Sequence, residues 1–215
     1  MSGVVGADRW ERLAEAVRSC ARCPELVASR ARVVPGVRPP GAEVLLVGEA
    51  PGAREDAAGV PFVGRSGQVL DALLAEAGLR RDRVAVVNVV KCRPPLNRKP
   101  RRGEVANCRP WLAAQIDAVD PLVIVTLGAT AAEWFFGPGA RLAALRDSPT
   151  AYGGRPVVVT YHPAAAIRFG PNGAPLAALR ADLARAAVLA ARLAAARGSV
   201  PAQGSVSADG SVPTG

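Results

Sequence analysis

Four short apolar runs, separated by segments of helical character, constrain the fold of this chain most strongly. The runs are EVLLVGEAPG, VAVVNVV, PLVIVTLGA and RPVVVTYHPA, and each has the length of one buried strand. The segments between them are SGQVLDALLAEAGL, EVANCRPWLAAQIDAV and GATAAEWFFG. Because alternating strands and helices form a parallel sheet with helices on both faces, we predict a three-layer α/β/α fold with a central, mainly parallel four-stranded sheet.

Further segments lie at both ends of this alternating region. Asp8 to Cys20 has the apolar spacing of an amphipathic helix, and Pro175 to Arg197 has the composition of a long alanine-rich helix. With 215 residues and 50% hydrophobic composition, the chain is long enough for one sizeable core, so we predict a single domain over residues 1–197. Residues 198–215 repeat Gly-Ser-Val three times without an apolar face, which predicts a disordered tail.

The chain is strongly basic, with a formal net charge of +9. An arginine-rich surface gains free energy by displacing counterions from phosphates, which favours a nucleic-acid partner. An arginine-biased genome would give the same charge, since only Lys91 and Lys99 are lysines, so composition leaves both explanations open. The N-terminal segment lacks the apolar run of a signal peptide, and no stretch of about 18 uncharged apolar residues is present. We therefore expect a cytoplasmic protein without a membrane partner.

Three polar residues follow or end the predicted strands. Glu49 lies in a glycine-bracketed turn after the first strand, Asn88 at the end of the second, and His162 at the end of the fourth. Ligands of open parallel sheets bind beyond the carboxyl ends of the strands, so we expect these side chains to converge. Each also has an ordinary explanation, as a solvated acid, a turn former and a satisfied histidine. His162 is the only histidine, which restricts histidine chemistry to one position.

Four cysteines form a C-x2-C pair and two distant single positions: Cys20, Cys23, Cys92 and Cys108. In a reducing compartment, this number of thiols favours metal binding over disulfides. Four thiolates suit a tetrahedral zinc site, although a zinc ribbon usually has two close pairs. They also suit an iron–sulfur cluster. The spacing alone leaves both metals open.

Three segments together resemble the family 4 uracil-DNA glycosylases. They are GEAPGAREDAAGVPFVGRSGQVLDALL (Gly48 to Leu74), NVVKCRPPLNRKP (Asn88 to Pro100) and HPAA (His162 to Ala165), and the resemblance extends from about Trp10 to Arg185. These bacterial and archaeal enzymes remove uracil from DNA and carry an iron–sulfur cluster. The resemblance implies that the four cysteines hold a [4Fe–4S] cluster, and that a monomeric enzyme acts on uracil-containing DNA, single- or double-stranded.

The resemblance also implies which residues carry the chemistry. Cleavage between the sugar C1′ and uracil N1 leaves positive charge on the sugar and negative charge on the base. By similarity, His162 and the main-chain amide of Ala50 donate to uracil O2 as that negative charge develops. Glu49 faces the sugar, where it stabilises the cation and positions the attacking water. The more familiar family 1 enzymes place an aspartate in the corresponding motif.

A further set of residues is implied in the recognition of uracil. Phe62 is the expected stacking wall for the flat base. Asn88 donates its amide to O4 and accepts from N3–H. Glu55 matches a family position near the C5 edge of the pyrimidine, where it helps to exclude the methyl group of thymine.

Uracil lies inside a base stack, so the enzyme must turn the nucleotide out into a pocket or act on a single strand. Phosphate contacts that position the DNA are expected from the basic residues that follow the third cysteine, which are Arg93, Arg98, Lys99, Arg101 and Arg102. The loop PAAAIRFGPNG after His162 is expected to enter the minor groove, with Ile167 or Arg168 as the wedge.

The sequence is also compatible with two rival functions. A related branch binds uracil-DNA tightly and becomes covalently attached through a histidine in a basic insertion after the second motif. This chain has no histidine there, which argues against cross-linking and leaves a slow or inactive uracil-DNA-binding protein open. The other rival is a zinc-containing nucleic-acid-binding module without catalysis. Metal analysis together with a glycosylase assay distinguishes all three functions.

Overall fold

Five strands form the sheet of the computed structural model, which describes residues 2–198, with residues 2–8 given by backbone alone. The strands are β1 (Val44–Gly48), β2 (Val84–Asn88), β3 (Val123–Leu127), β4 (Ala151–Tyr152) and β5 (Arg155–Thr160). Their order across the sheet is β2-β1-β3-β5-β4. All neighbouring strands are parallel except β4 and β5. The parallel strands therefore direct their carboxyl ends to one edge of the sheet.

Nine α-helices lie within the described residues. They are α1 (Ser2–Arg18), α2 (Pro24–Ser29), α3 (Ala53–Ala58), α4 (Arg65–Glu76), α5 (Arg102–Val119), α6 (Ala129–Phe136), α7 (Leu142–Arg146), α8 (Pro163–Phe169) and α9 (Ala174–Gly198). Two single 3₁₀ turns, Arg81–Arg83 and Pro95–Asn97, precede β2 and α5 respectively.

The sheet is buried on both faces by these helices. On one face, α1, α5 and α6 pack their apolar residues against Leu45 and Val47 of β1. On the other face, α4, α8 and α9 pack against Val44 and Leu46 of the same strand. Alternate strand residues thus enter two separate cores, which explains why the strands are continuous apolar runs. The predicted three-layer α/β/α fold with a mainly parallel sheet is confirmed.

The prediction of four strands needs one correction. A fifth strand, β4, pairs antiparallel with β5 at the edge of the sheet. The two strands are joined through Gly153 and Gly154, which have φ values of +55° and +77°. Two successive residues with positive φ are required by the tightest hairpin turns, so a Gly-Gly pair before an apolar run is a hairpin signal.

The segment after His162 also differs from the prediction, because it is the helix α8 and not a loop. Pro163 occupies the first helical position, where its missing N–H costs nothing. The ring of His162 caps the helix by accepting a hydrogen bond from the main-chain amide of Ala164. Ile167 and Arg168 therefore lie on a short helix that begins at the histidine.

The two ends of the chain compare differently with prediction. The N-terminal helix α1 begins at Ser2 and so is longer than the segment from Asp8 that the periodicity marks. The predicted tail lies, from residue 199 onward, outside the described residues. Over residues 2–198, none of the helices combines the length and the apolar character that crossing a membrane requires.

Candidate active site

A pocket of about 620 Å³ opens at the carboxyl edge of the sheet. Its wall includes Glu49 after β1, Asn88 at the end of β2, Gly128 after β3 and His162 after β5. The structure thus brings together the three polar residues that the sequence places at strand ends. Of the other predicted uracil-contacting residues, Ala50, Glu55 and Phe62 also line this pocket.

Phe62 forms an aromatic side of the pocket. Its backbone has a φ of +56°, a left-handed conformation that is rare for a bulky residue. Its ring lies 5.8 Å from the ring of His162, measured between centroids, with a tilt of 30°. Gly48 makes this arrangement possible, because a Cβ there would lie 2.7 Å from Cζ of Phe62. The phenylalanine is 7% exposed, so it belongs to the core and to the pocket wall at once.

Asn88 contributes an unsatisfied polar atom to the pocket. The residue is 2% exposed, and its Oδ1 is buried without a hydrogen-bond partner among the described residues. An unpaired buried acceptor costs about 1–3 kcal/mol. A ligand with a suitably placed N–H group would remove that cost.

Lys91 fixes the backbone of Asn88, and sequence reasoning assigns it no role. Its ammonium group is buried and donates a hydrogen bond to the main-chain carbonyl of Asn88. Burial lowers the pKa of Lys91 to about 8, an effect that Cys108 and Cys92 partly offset. The lysine therefore connects the strand end that carries Asn88 with the neighbourhood of two cysteines.

Thr130 is a second residue that sequence reasoning misses. Its hydroxyl donates a hydrogen bond of 2.5 Å to Oε2 of Glu49. Thr130 lies in the first turn of α6, directly after β3, and is 5% exposed. The carboxyl end of β3 lies at the same edge of the sheet as those of β1, β2 and β5. This position after a parallel strand is the sequence signal that could have indicated Thr130. The hydroxyl holds the Glu49 carboxylate in one orientation.

His162 is held as a hydrogen-bond donor towards the pocket. Its Nδ1 accepts from the amide of Ala164 at 3.1 Å, which assigns the ring proton to Nε2. Burial lowers the pKa of His162 to about 4, and the nearby Glu55 carboxylate opposes this shift only in part. The ring is thus neutral at neutral pH, with its single N–H on the nitrogen that does not cap α8.

Glu55 has both carboxylate oxygens engaged by backbone. Oε2 accepts from the amide of Gly52 at 3.2 Å, and Oε1 accepts from the amide of Gly64 at 2.8 Å. These two glycines precede α3 and α4, so one carboxylate joins the starts of two helices. The structure therefore gives Glu55 a role in shaping the pocket wall in which it lies.

The four cysteines are neighbours in space and are free thiols. Cys92 and Cys108 are buried, whereas Cys20 and Cys23 are partly exposed. Cys20 and Cys23 lie near enough to Cys108 to contribute to its raised pKa, and Cys108 and Cys20 do the same for Cys92. Within residues 2–198, three or more His, Cys, Asp or Glu side chains nowhere surround one metal-ion position.

Each of the four sulfurs accepts a hydrogen bond from nitrogen. The donors are Trp111 Nε1 to Cys20 at 3.3 Å, Asn107 Nδ2 to Cys23 at 3.6 Å, Arg30 Nη1 to Cys92 at 2.8 Å and the Lys91 amide to Cys108 at 3.4 Å. Burial raises the pKa of the Cys92 thiol to about 11 and also raises that of Cys108. Buried thiolates therefore need compensating positive charge, and a metal centre provides it. The donor set fits a thiolate-bound cluster.

Ion pairs fix the basic segment that follows Cys92. Arg98 donates to both carboxylate oxygens of Glu104, at 2.9 and 2.6 Å, and also reaches Glu25 in α2. This guanidinium holds the pKa of Glu104 below its ordinary value. Arg101 pairs with the same Glu25. Arg98 and Arg101 thus tie the segment to two helices, in addition to any contact with phosphate.

The other predicted DNA-contacting residues lie outside the pocket wall. Arg93 is half-buried, whereas Lys99, Arg102 and Arg168 are exposed. Ile167 is half-buried on α8. Phe169, to which the sequence analysis gives no role, ends α8 with 62% of its surface exposed.

The chain is similar to known proteins of one superfamily and of one family within it. Residues 35–184 match the model of the uracil DNA glycosylase superfamily. The type-4 uracil-DNA glycosylase of Thermotoga maritima is 44% identical over 164 residues, covering 75% of this chain and 85% of the relative. That of Sulfurisphaera tokodaii is 42% identical over 174 residues, with coverages of 77% and 78%. A type-5 uracil-DNA glycosylase of Thermus thermophilus is 33% identical over 188 residues, with coverages of 71% and 85%. Within the superfamily, the chain belongs to the type-4 family, as its sequence motifs predict.

Proposed function

We propose that this protein is a DNA-repair glycosylase that turns uracil out of DNA and hydrolyses its N-glycosidic bond, leaving an abasic site. The observation behind this proposal is that one cavity is lined by the unpaired Oδ1 of Asn88, the ring of Phe62 and the imidazole of His162, whose Nε2–H is free to donate. Uracil has an N3–H donor, a flat face and carbonyl acceptors, so it complements each of these groups. The names of the type-4 relatives support the same activity.

The catalytic step would use the residues that line the pocket after β1 and β5. Nε2–H of His162 and the amide of Ala50 would donate to uracil O2 as the base takes up negative charge. Glu49, oriented by Thr130, would stabilise the positive sugar and position the attacking water. The neutral ring of His162 can take this role, because Nδ1 accepts from the Ala164 amide and the remaining proton leaves Nε2 as the donor.

Recognition of the base would use the two strand-end residues and the aromatic wall. Phe62 would stack on the pyrimidine, and Asn88 would accept from N3–H and donate to O4. Glu55 would limit the space beside C5 while its oxygens stay bound to Gly52 and Gly64. A thymine methyl group would then meet a wall whose position is fixed by two hydrogen bonds.

The four cysteines would hold a [4Fe–4S] cluster. When bound, the cluster would supply cross-links that tie the chain after α1 to β2 and α5. The N–H donors at all four sulfurs and the burial of Cys92 and Cys108 support this assignment. Through Lys91, the same cross-links would steady the strand end that carries Asn88.

DNA binding would use the basic segment together with α8. Arg93 and Arg102 have charge available for phosphates, while Arg98 and Arg101 would hold the segment in place. Lys99 lies 3.4 Å from Oε2 of Glu133 and would exchange that exposed ion pair for a phosphate. We propose that a monomer acts on uracil-containing DNA, single- or double-stranded, with Ile167 or Arg168 supporting the vacated strand. Cytoplasmic localisation remains a prediction.

A single-turnover excision assay tests this function. Oligonucleotides that carry one uracil, single-stranded or paired, are incubated with excess protein, and abasic sites are cleaved by alkali. We expect strand cleavage at the uracil position and none in thymine controls. Tight uracil-DNA binding without excision would support the inactive-binder alternative. A colourless zinc protein without excision would support the zinc-module alternative.

Metal content provides a first specific prediction. Protein purified without oxygen is expected to be brown, to absorb broadly at about 400 nm and to contain about four irons per chain. Iron analysis and an absorption spectrum measure this directly. Cys108→Ser should lower the iron content, because it removes one of the two buried thiols. Colourless protein with one zinc per chain would refute the cluster.

The bond from Thr130 to Glu49 provides a second prediction. Thr130→Val keeps the shape of the side chain and removes the donor, so single-turnover excision should fall about tenfold, the scale of a hydrogen bond to a charged group. Thr130→Ser keeps the hydroxyl and should retain most of the rate. In a Glu49→Gln background, the valine substitution should have little further effect. Additive losses would mean that Thr130 acts independently of Glu49.

A further inference from the structure

Leu96 is a large apolar residue that the fold leaves almost wholly exposed to solvent. It is 94% exposed, compared with 62% for Phe169 and 58% for Val188 among the described residues. Single exposed apolar residues are common on protein surfaces, but a leucine that projects almost wholly into water is not stabilised by the fold that carries it. Its side chain contributes nothing to either core of the sheet.

The backbone at Leu96 also disfavours leucine. Leu96 and Asn97 both have left-handed conformations, with φ values of +54° and +56°. Glycine and asparagine adopt this region readily, whereas a branched apolar side chain is penalised there. Neither packing nor backbone geometry therefore accounts for leucine at this position. The leucine instead places an apolar side chain in the solvent, where a binding partner can contact it.

The segment that carries Leu96 is held in place on both sides. The amide of Asn97 donates to the Pro94 carbonyl at 3.0 Å, and the amide of Arg98 donates to the Pro95 carbonyl at 3.1 Å. Arg93 donates through Nε to Oδ1 of Asn97 at 2.8 Å. The ion pair between Arg98 and Glu104 anchors the far end of the turn. Leu96 is thus presented on a stiff turn that limits its collapse onto the protein.

The turn stands beside the mouth of the uracil pocket. Pro94, Asn97 and Arg98, which flank Leu96 in sequence, all line that pocket. Exposed positive side chains follow the same turn in the sequence, at Arg102 and at Lys99, which also pairs with Glu133. A partner that buries Leu96 must therefore offer an apolar surface within a field of negative charge. Stacked bases between phosphates meet both conditions.

We propose that Leu96 inserts against the base stack beside the uracil and helps to keep the turned-out nucleotide from returning. The inference rests on the proposed function and adds a second contact to that function, on a different element from α8. An apolar side chain that enters between bases unstacks them, and phosphate contacts on either side hold the DNA against it. We expect the contribution of Leu96 to excision to be larger on duplex DNA, since a single strand has less base stacking to disrupt.

Two substitutions test this role. Leu96→Asn removes the apolar side chain and suits the left-handed backbone, so the turn should keep its shape. Leu96→Ala is the second variant, and Val188→Ala on α9 is a matched control for loss of an exposed apolar group. Each protein is assayed on one uracil oligonucleotide, single-stranded and paired, with 2-aminopurine next to the uracil as a fluorescent reporter of unstacking.

Both Leu96 variants are expected to excise uracil from duplex DNA about tenfold more slowly and to change the single-strand rate less than about threefold. The rise in 2-aminopurine fluorescence on duplex binding should shrink in parallel, and Val188→Ala should match the parent protein. Unchanged duplex excision by Leu96→Asn, or equal losses on both substrates, would overturn the proposal. Absence of excision by the parent protein would instead overturn the proposed function, so the two failures are distinguishable.

Discussion

Replacing His162 by alanine is expected to lower the single-turnover rate of uracil excision by about 10²–10³-fold, the scale for losing one preorganised donor at a developing anion. The structure gives this donor a defined state, because Nδ1 is occupied by the Ala164 amide and the proton must reside on Nε2. Affinity for uracil-free DNA should barely change, because the interaction that we propose for His162 is with the turned-out base. Excision within threefold of the parent protein would show that His162 does not have this role.

The tautomer and charge of His162 are measurable in the same protein. Since His162 is the only histidine, untagged protein should show one set of imidazole resonances, with the proton on Nε2. Burial lowers the pKa of the ring to about 4, so no titration is expected near the ordinary value of 6.5. A ring that titrates near 6.5 would mean that the donor becomes a cation in mildly acidic solution.

The lowered pKa of His162 also has a consequence for stability, with a definite sign. Between pH 6.5 and about 4 the unfolded chain binds a proton at this residue and the native chain does not. The free energy of unfolding therefore falls as pH decreases through this window. His162→Gln removes this contribution and keeps an N–H donor, so its stability should depend less on pH while part of the activity is retained.

The general fold and three pocket residues follow from the sequence by one rule. Apolar runs mark the strands, and parallel strands carry whatever follows them to a common edge. Glu49, Asn88 and His162 stand directly at such ends and converge as predicted. The rule does not predict Thr130, because β3 ends at Leu127 and Thr130 belongs to the helix that follows.

Sequence patterns do not reveal residues that are far apart in the chain and come into contact only in the folded structure. The spacing of the cysteines predicts a metal centre, but Arg30 and Trp111 meet Cys92 and Cys20 across large separations in the chain. Glu55 similarly shapes the pocket through two backbone amides that no periodicity marks. The fold has to place these groups before their function can be recognised.

Asn88→Asp is expected to have the other large effect, a loss of uracil excision by at least about 10², corresponding to a lost or repulsive buried hydrogen bond of a few kcal/mol. The carboxylate removes the amide N–H that we propose as the donor to uracil O4 and replaces it with an acceptor. Cytosine carries an amino donor at C4 and a bare acceptor at N3. Weak excision of cytosine by the aspartate variant is therefore the accompanying expectation.

If Asn88 reads the base as we propose, selectivity in the parent protein depends on the orientation of its amide, because a flipped amide would pair with cytosine. Gly48 leaves room for Oδ1 of Asn88 and the Phe62 ring side by side, and Lys91 holds the main-chain carbonyl of Asn88.

The experiment compares single-turnover cleavage of matched oligonucleotides with uracil or cytosine, after the fold and iron content of the variant have been checked. A well-folded Asn88→Asp protein with unaltered uracil excision would show that another residue reads the base. The unpaired Oδ1 would then need a different explanation, and the assignment of the whole pocket would fall with it.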